Sequence, residues 1–570
     1  MTTVAAYLLT RLQQAGLEHL FAVPGDYAGP FLKALDATPG IARIPTINEL
    51  GAGYAADGYA RYRGIGAACV QYGVGTFSLL NCVAGSFVER VPVAIISASP
   101  KASDRKLERE KGILFHHSTG DLQADKLVFR QVTVAAEILA DASEAPIQID
   151  RAIAAMLTCR RPVYLEGLND VWDQPCCMPA GRLQALETAS NLVILEHLLN
   201  EAWKRIAGAR LPVLWIGVEV QRFGLQNVLQ QLADASGIFF TTTSLGKTVL
   251  DESQQQFIGT YAGPASPLPT LELMEKCDCP VALGTIITDD YLDIMHTKFD
   301  SMIEVTGERA RIGKQTYPQV SLKGFLEGLL HRFQSHKEFP RTYTLSAITP
   351  KKQKVPAPDA SLTYVLFFEV ISEFILKHHL KDSIALILGE STSLYVFGNL
   401  FGMPRNSFVA QAAWGSLGHE TGAALGIALG SGKRPFVVAG DGGFMMICQE
   451  LSSLARQQCN AVVFVISNRS YSIEQAFVDI NAFKPDGTFA PFDLLPAWDY
   501  LALATAFGVK GYKAETTGQL QVVLKEIAGL TNVPALVEVV VPQKDLPPQL
   551  ARLAAPPAPG QTLHTGRHQW

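Results

Sequence analysis

The stretch Val437-Val438-Ala439-Gly440-Asp441-Gly442-Gly443-Phe444 reads as an apolar strand running into a glycine-rich turn, with a helix beginning after it. Glycines let the backbone come close to a phosphate, and free N–H groups at a helix start favour an anion. Asp441 then faces the same point as a hard oxygen ligand. Alone, Gly-Asp-Gly is a common structural turn, but the next apolar run gives it a partner. Residues 461–466 end in Ser467-Asn468-Arg469-Ser470, and Asn468 lies 27 positions beyond Asp441. One strand–helix–strand unit of that length brings Asp441 and Asn468 side by side at adjacent strand ends. A carboxylate, an amide oxygen and a nearby backbone carbonyl, with diphosphate oxygens and water, make an octahedral oxygen site suited to Mg²⁺.

The elements that must position these groups are legible as short apolar runs separated by helical patterns. They fall at 20–23, 67–71, 91–97, 162–166, 211–216, 238–242, 280–283, 383–388, 435–439, 461–466 and 535–541. Continuous apolar strands alternating with helices mark parallel sheets covered on both faces. The small-residue stretch 412–432 reads as a tightly packed helix, and Thr2 or Thr3 as the cap of a helix through Leu8, Leu9 and Leu12. Two composition breaks, at 170–182 and 342–360, read as surface linkers. Three doubly wound α/β domains follow, at 1–180, 185–342 and 360–555, with a proline-bearing tail at 556–570.

Length agrees, since 570 residues exceed one hydrophobic core. The net charge of −5 gives no support to a nucleic-acid partner, and no apolar run approaches the roughly 18 residues that cross a bilayer. The nine cysteines are odd in number and lack zinc-knuckle spacing, so they read as reduced thiols of a cytoplasmic protein.

Further motifs then line up in order. Pro24-Gly25-Asp26-Tyr27 forms an early turn. Asn48-Glu49-Leu50 precedes the small-residue segment Gly53 to Arg61, and Tyr72-Gly73-Val74-Gly75 with Asn81 comes next. Leu114-Phe115-His116-His117, Trp414-Gly415-Ser416-Leu417-Gly418 and Tyr471-Ser472-Ile473-Glu474 complete the set. With Gly-Asp-Gly and Asn468, these make the chain resemble the thiamine-diphosphate enzymes. Over essentially its whole length it resembles their pyruvate and indolepyruvate decarboxylase branch.

The resemblance implies non-oxidative decarboxylation of a 2-oxo acid to an aldehyde, through the ylid of thiamine diphosphate with Mg²⁺. It implies a pyrimidine-binding first domain, a cofactor-free middle domain and a diphosphate-binding last domain. Sites would form between two protomers, in a dimer of dimers. Glu49 would share a hydrogen bond with the pyrimidine ring and so promote removal of the thiazolium proton. Leu417, with Gly415 beside it, would bend the cofactor into a V. Asp26, His116, His117 and Glu474 would manage protons, and Gly440, Asp441, Gly442, Gly443, Asn468 and Ile473 would line the cofactor.

Two positions depart from the family pattern. Ser470 stands where glycine is frequent; its backbone carbonyl can still serve the metal beside Asp441 and Asn468, at the expense of strain. Gly443 replaces a hydroxyl or alanine, which shifts a diphosphate contact to Ser391, Thr392 or Ser393. The substrate pocket is expected around Tyr395, Phe397, Phe477 and Leu550. Small residues at 391 and 392 favour an aromatic or branched 2-oxo acid over pyruvate. A carboligase of the acetolactate-synthase type would be expected to lack the histidine pair and Glu474. A nucleotide oxidoreductase would carry a Gly-x-Gly-x-x-Gly that is absent between strand and helix here. A binding protein that had lost the chemistry would not keep a competent residue at every catalytic position.

Overall fold

The computed structural model describes residues 1–186, 189–336, 356–398, 400 and 402–555. The proline-bearing linker expected at 342–360 lies, up to residue 355, outside the described residues, as does the tail at 556–570.

The first sheet has six parallel strands, in the order Ala42–Pro45, His19–Ala22, Gly66–Gln71, Val93–Ser99, Val163–Leu168 and Ala136–Leu139. The third is also six-stranded and parallel, ordered Phe408–Ala410, Ile384–Leu388, Arg434–Gly440, Val462–Ser467, Ala535–Val540 and Lys510–Ala514. The middle sheet runs parallel through Phe257–Thr260, Phe239–Thr242, Pro212–Ile216, Cys279–Leu283 and Ile303–Val305. It then adds Ala310–Ile312 and Gln315–Thr316 as antiparallel strands. Helices cover these sheets, giving the α/β doubly wound class that the alternation of runs requires.

In each sheet the strand order reverses beside a central strand, and side chains after the carboxyl ends gather in the crevice there. In the first sheet the crevice lies between His19–Ala22 and Gly66–Gln71; in the third, between Ile384–Leu388 and Arg434–Gly440. In the middle sheet it lies between Pro212–Ile216 and Cys279–Leu283 and is closed by backbone, for a Cβ on Gly217 would land inside the Gly284 carbonyl.

Two small-residue helices, Glu49–Arg63 and His419–Ser431, join the first and third domains. Asn48 caps the first, its Oδ1 accepting the Gly51 N–H at 2.7 Å. The second is shorter than the expected 412–432, because Gly415 (φ 69°) and Gly418 (φ 90°) turn left-handed before it. Backbones meet where they cross: a Cβ on Gly426 would overlap the Ala55 carbonyl. A buried ion network seals the crossing. Arg61 donates to Asp57 at 2.6 Å and to Glu89 at 2.7 Å, and His419 Nε2 lies 2.7 Å from Asp57 Oδ1. Burial alone would raise the Asp57 carboxyl, but Arg61 and His419 hold it well below the usual carboxylate range.

The segment 170–182 is more than a surface linker. Trp172 is fully buried against Phe31, and Pro175–Cys176 pairs antiparallel with Thr2–Thr3. The indole supplies enough apolar area to anchor an otherwise polar stretch. Thr3 caps helix Val4–Gln14 as expected. All nine cysteines are free, and no helix among the described residues is long and apolar enough to cross a membrane.

Candidate active site

The third-domain crevice gathers most of the residues singled out above. Gly440 pairs with Ile466 across adjacent strands, which puts Asp441 beside the turn 467–470. Asp441 is buried, and its carboxylate accepts three backbone N–H groups: Gly442 at 3.0 Å, Asn468 at 3.1 Å and Arg469 at 2.6 Å. Burial outweighs those donors and pushes the carboxyl up to about 6. Among the described residues it forms no ion pair, so a cation is the partner its environment lacks.

Asn468 and Ser470 are buried next to it. The Asn468 Nδ2 donates to the Tyr364 hydroxyl at 3.1 Å and to Ser472, while its Oδ1 accepts the Ser470 N–H at 3.2 Å. The strain expected at Ser470 falls one residue earlier. Arg469 takes the left-handed conformation, φ 59°, and that twist aims its N–H at Asp441. The hydrogen bond offsets the roughly 1–2 kcal/mol that a non-glycine residue loses there.

The glycines form a cradle. A Cβ on Gly442 would run into the Tyr471 ring, and one on Gly443 would sit 3.9 Å from Leu417 Cβ and 3.0 Å from Glu420 Oε1. Ser391 Cβ stands 3.7 Å from a Cβ position on Gly440, and Ser391 caps helix Thr392–Phe397 by accepting the Ser393 N–H. Thr392 and Ser393 are buried, and Ser393 Oγ has no hydrogen-bond partner among the described residues. Gly415 and Leu417 stand half-buried on the loop leading to Gly418. A cation-seeking carboxylate, an orphan hydroxyl and open glycine backbone at one sheet end fit a diphosphate held through a divalent metal.

The first-domain crevice holds a separate group. Asp26 is exposed, and Gln71 Nε2 donates to its Oδ1 at 2.6 Å. The next residue, Tyr72, donates its hydroxyl to the His116 carbonyl at 2.6 Å. His116 and His117 are exposed, His117 in a left-handed turn with φ 73°, and its carbonyl occupies the place of a side chain on Gly73. Glu49 opens its helix half-exposed, its Cγ 3.5 Å from a Cβ position on Gly75. Glu474 is exposed on helix Ser472–Val478, and Ile473 is partly buried beside it. Gln71 and Tyr364 stand in none of the motifs above, whereas Tyr72 and Ser472 stand in them without a role of their own. A glutamine ending an apolar strand was the one available signal for Gln71; nothing in the local sequence marks Tyr364.

The pocket residues divide. Tyr395 and Leu550 are buried in one apolar cluster with Ala262, Ala265 and Ala476, and Phe477 packs against it. The Tyr395 hydroxyl donates to Asp290 of the middle domain at 3.4 Å, and Arg552 ties the last helix to the Pro264 and Ser266 carbonyls. Phe397 is not part of this wall. Its ring lies 5.4 Å from Phe367 and 5.3 Å from Phe368, inside the third-domain core. It sits two positions after Tyr395 on a helix, which rotates it to another face.

Fold and crevices together are those of a thiamine-diphosphate enzyme. Comparison with known proteins agrees. Residues 2–125 match the thiamine pyrophosphate enzyme N-terminal TPP binding domain, 199–333 the central domain and 392–539 the C-terminal TPP binding domain. An alpha-keto-acid decarboxylase of Mycobacterium leprae is 31% identical, covering 97% of this chain and 95% of the relative. A protein named probable pyruvate decarboxylase in Schizosaccharomyces pombe is 30% identical over 96% of this chain and 95% of its own. The alpha-keto-acid decarboxylase of Mycobacterium tuberculosis is 30% identical over 98% and 97%. The chain belongs to the thiamine-diphosphate-dependent 2-oxo-acid decarboxylases, enzymes of the carboxy-lyase class.

Proposed function

We propose that this decarboxylase prefers 2-oxo acids with aromatic or branched side chains, uses Mg²⁺, and completes each site between two copies of the chain. The observation that carries the substrate reading is the rotation of Phe397 into the core. It leaves Tyr395, Phe477 and Leu550 in a cluster where the small residues Ala262, Ala265 and Ala476 alternate with the rings of Phe483 and Phe489. A wall of alternating large and small apolar groups suits a bulky side chain more than the methyl of pyruvate.

Bound thiamine diphosphate supplies the carbanion chemistry. The protein's share is to bind, orient and manage protons. Asp441, the Asn468 amide and the Ser470 carbonyl would hold Mg²⁺, while Gly440, Gly442, Gly443, Ser391, Thr392 and Ser393 leave room and donors for the diphosphate. Leu417 and Gly415 would support the rings, and Ile473 flanks them. Glu49 is free of capping duty, which Asn48 performs, and is left to serve a ring nitrogen. Asp26, His116, His117 and Glu474 are solvent-facing groups that hold and move protons as the aldehyde forms.

Exposed apolar side chains support burial against a second copy. Ile47 (51%) and Val74 (58%) flank Glu49, while Trp414 (41%) and Met446 (50%) flank the cradle. The family resemblance extends this to a dimer of dimers. A relative named for pyruvate keeps that acid as the rival substrate. The test is kcat/KM for pyruvate, phenylpyruvate and indolepyruvate with thiamine diphosphate and Mg²⁺. An aromatic acid ahead by tenfold or more agrees with the proposal; pyruvate ahead overturns it.

A further inference from the structure

Glu420 lies in the third-sheet crevice, yet no role has fallen to it. It is 1% exposed, on the first turn of helix His419–Ser431, and its carboxyl is wedged between the ends of two strands. A Cβ on Gly389, just after Ile384–Leu388, would sit 2.7 Å from its carboxyl carbon. One on Gly443, just after Arg434–Gly440, would sit 3.0 Å from its Oε1. The carboxyl therefore fills the space that glycine at 443 leaves open, at the wall of the diphosphate cradle. Its Oε2 has no hydrogen-bond partner among the described residues.

Among the described residues no cation pairs with it: Tyr54 approaches from helix Glu49–Arg63, and the backbone N–H groups of Gly418 and Glu420 are its donors. The neighbouring His419 is turned away onto Asp57. Burial outweighs those two donors and, with no positive partner, pushes the Glu420 carboxyl up to about 7. A carboxylate at this wall would repel a diphosphate held in the cradle, and the low dielectric of the buried site would strengthen the repulsion.

We propose that Glu420 closes the diphosphate cradle as a neutral carboxylic acid, donating a hydrogen bond in place of the side chain missing at Gly443, so that cofactor binding is linked to proton uptake at this residue. Glu420 is a positioning residue, and the inference rests on the cofactor site described above.

The test is calorimetric titration of the full-length, cofactor-stripped chain with thiamine diphosphate and Mg²⁺ at pH 7.5 to 8.5, in buffers of different ionisation enthalpy. Comparing wild type with Glu420→Gln cancels protons carried by the cofactor and by Glu49. Wild type should take up more protons per site than the variant, approaching about one, and its Kd should weaken about tenfold more per pH unit. Glu420→Thr, which also cannot titrate, should behave like Glu420→Gln and serves if the glutamine variant does not fold. Equal proton uptake in wild type and either variant overturns the inference. Failure of wild type itself to bind would instead remove the cofactor site on which it rests.

Discussion

Gln71 donates its side-chain N–H to Asp26 at 2.6 Å across the crevice where the first sheet reverses its strand order. One residue on, Tyr72 holds the His116 carbonyl. A single strand end thus fixes both the Asp26 turn and the histidine pair, joining three distant parts of the sequence into one group.

Replacing Gln71 by alanine should lower kcat/KM by about tenfold or more, since a hydrogen bond to a charged group contributes roughly 1.5–3 kcal/mol. Stability should fall as well, by no more than about 1.5–3 kcal/mol, because the same hydrogen bond ties the Asp26 turn to the strand end. Gly25→Ala should show the same kinetic defect, for its Cβ would displace the Gln71 amide. Steady-state kinetics beside a thermal melt separates the two effects.

The cofactor-stripped chain should lose stability as pH rises. The group concerned is Asp441, raised from an ordinary 3.8 to about 6 in the fold. Its proton-bound form is the favoured one, so its contribution is full below about pH 4 and lost as pH rises through 6. That amounts to about 3 kcal/mol. Asp441→Asn should flatten the decline by a similar amount in denaturant titrations across pH 4 to 7.

Phe397 and Phe477 should separate stability from selectivity. Phe397→Ala removes a ring from the core and should cost about 3–5 kcal/mol while leaving the ranking of 2-oxo acids intact. Phe477→Ala should change that ranking with a smaller loss of stability. Denaturation midpoints and competition kinetics with mixed acids check both halves.

At the crossing of helices Glu49–Arg63 and His419–Ser431, Gly426→Ala should cost about 3 kcal/mol, because the added methyl meets the Ala55 carbonyl and not a movable side chain. Gly432→Ala is the control for space alone, since a Cβ there meets nothing within 4 Å. Its left-handed φ of 67° predicts a smaller loss, of about 1 kcal/mol. Denaturant midpoints of the two variants beside wild type give the comparison.

What was legible in the sequence follows the physics of burial. The eleven apolar runs are all strands, and all lie inside their sheets, where both faces are covered. Most strands without such a signal are edges, such as Ala42–Pro45 and Lys510–Ala514, half-exposed and free to carry charge, while Ile303–Val305 and Ala310–Ile312 are interior but only three residues long. The pairing of Asp441 with Asn468 was readable because a strand–helix–strand unit fixes it. Phe397 was not, since its direction depends on helix phase after Ser391. Glu420 and Gln71 lie against distant residues, Gly389 and Gly443 for the one and Asp26 for the other, that no local pattern joins to them.

The most direct test of the account is aldehyde release from phenylpyruvate by wild type and Glu49→Gln, each with and without thiamine diphosphate and Mg²⁺. Turnover is expected only when both are added, with a loss of at least about a hundredfold in the variant while cofactor stays bound. Aldehyde formed without the additions, or at an undiminished rate by Glu49→Gln, would contradict it.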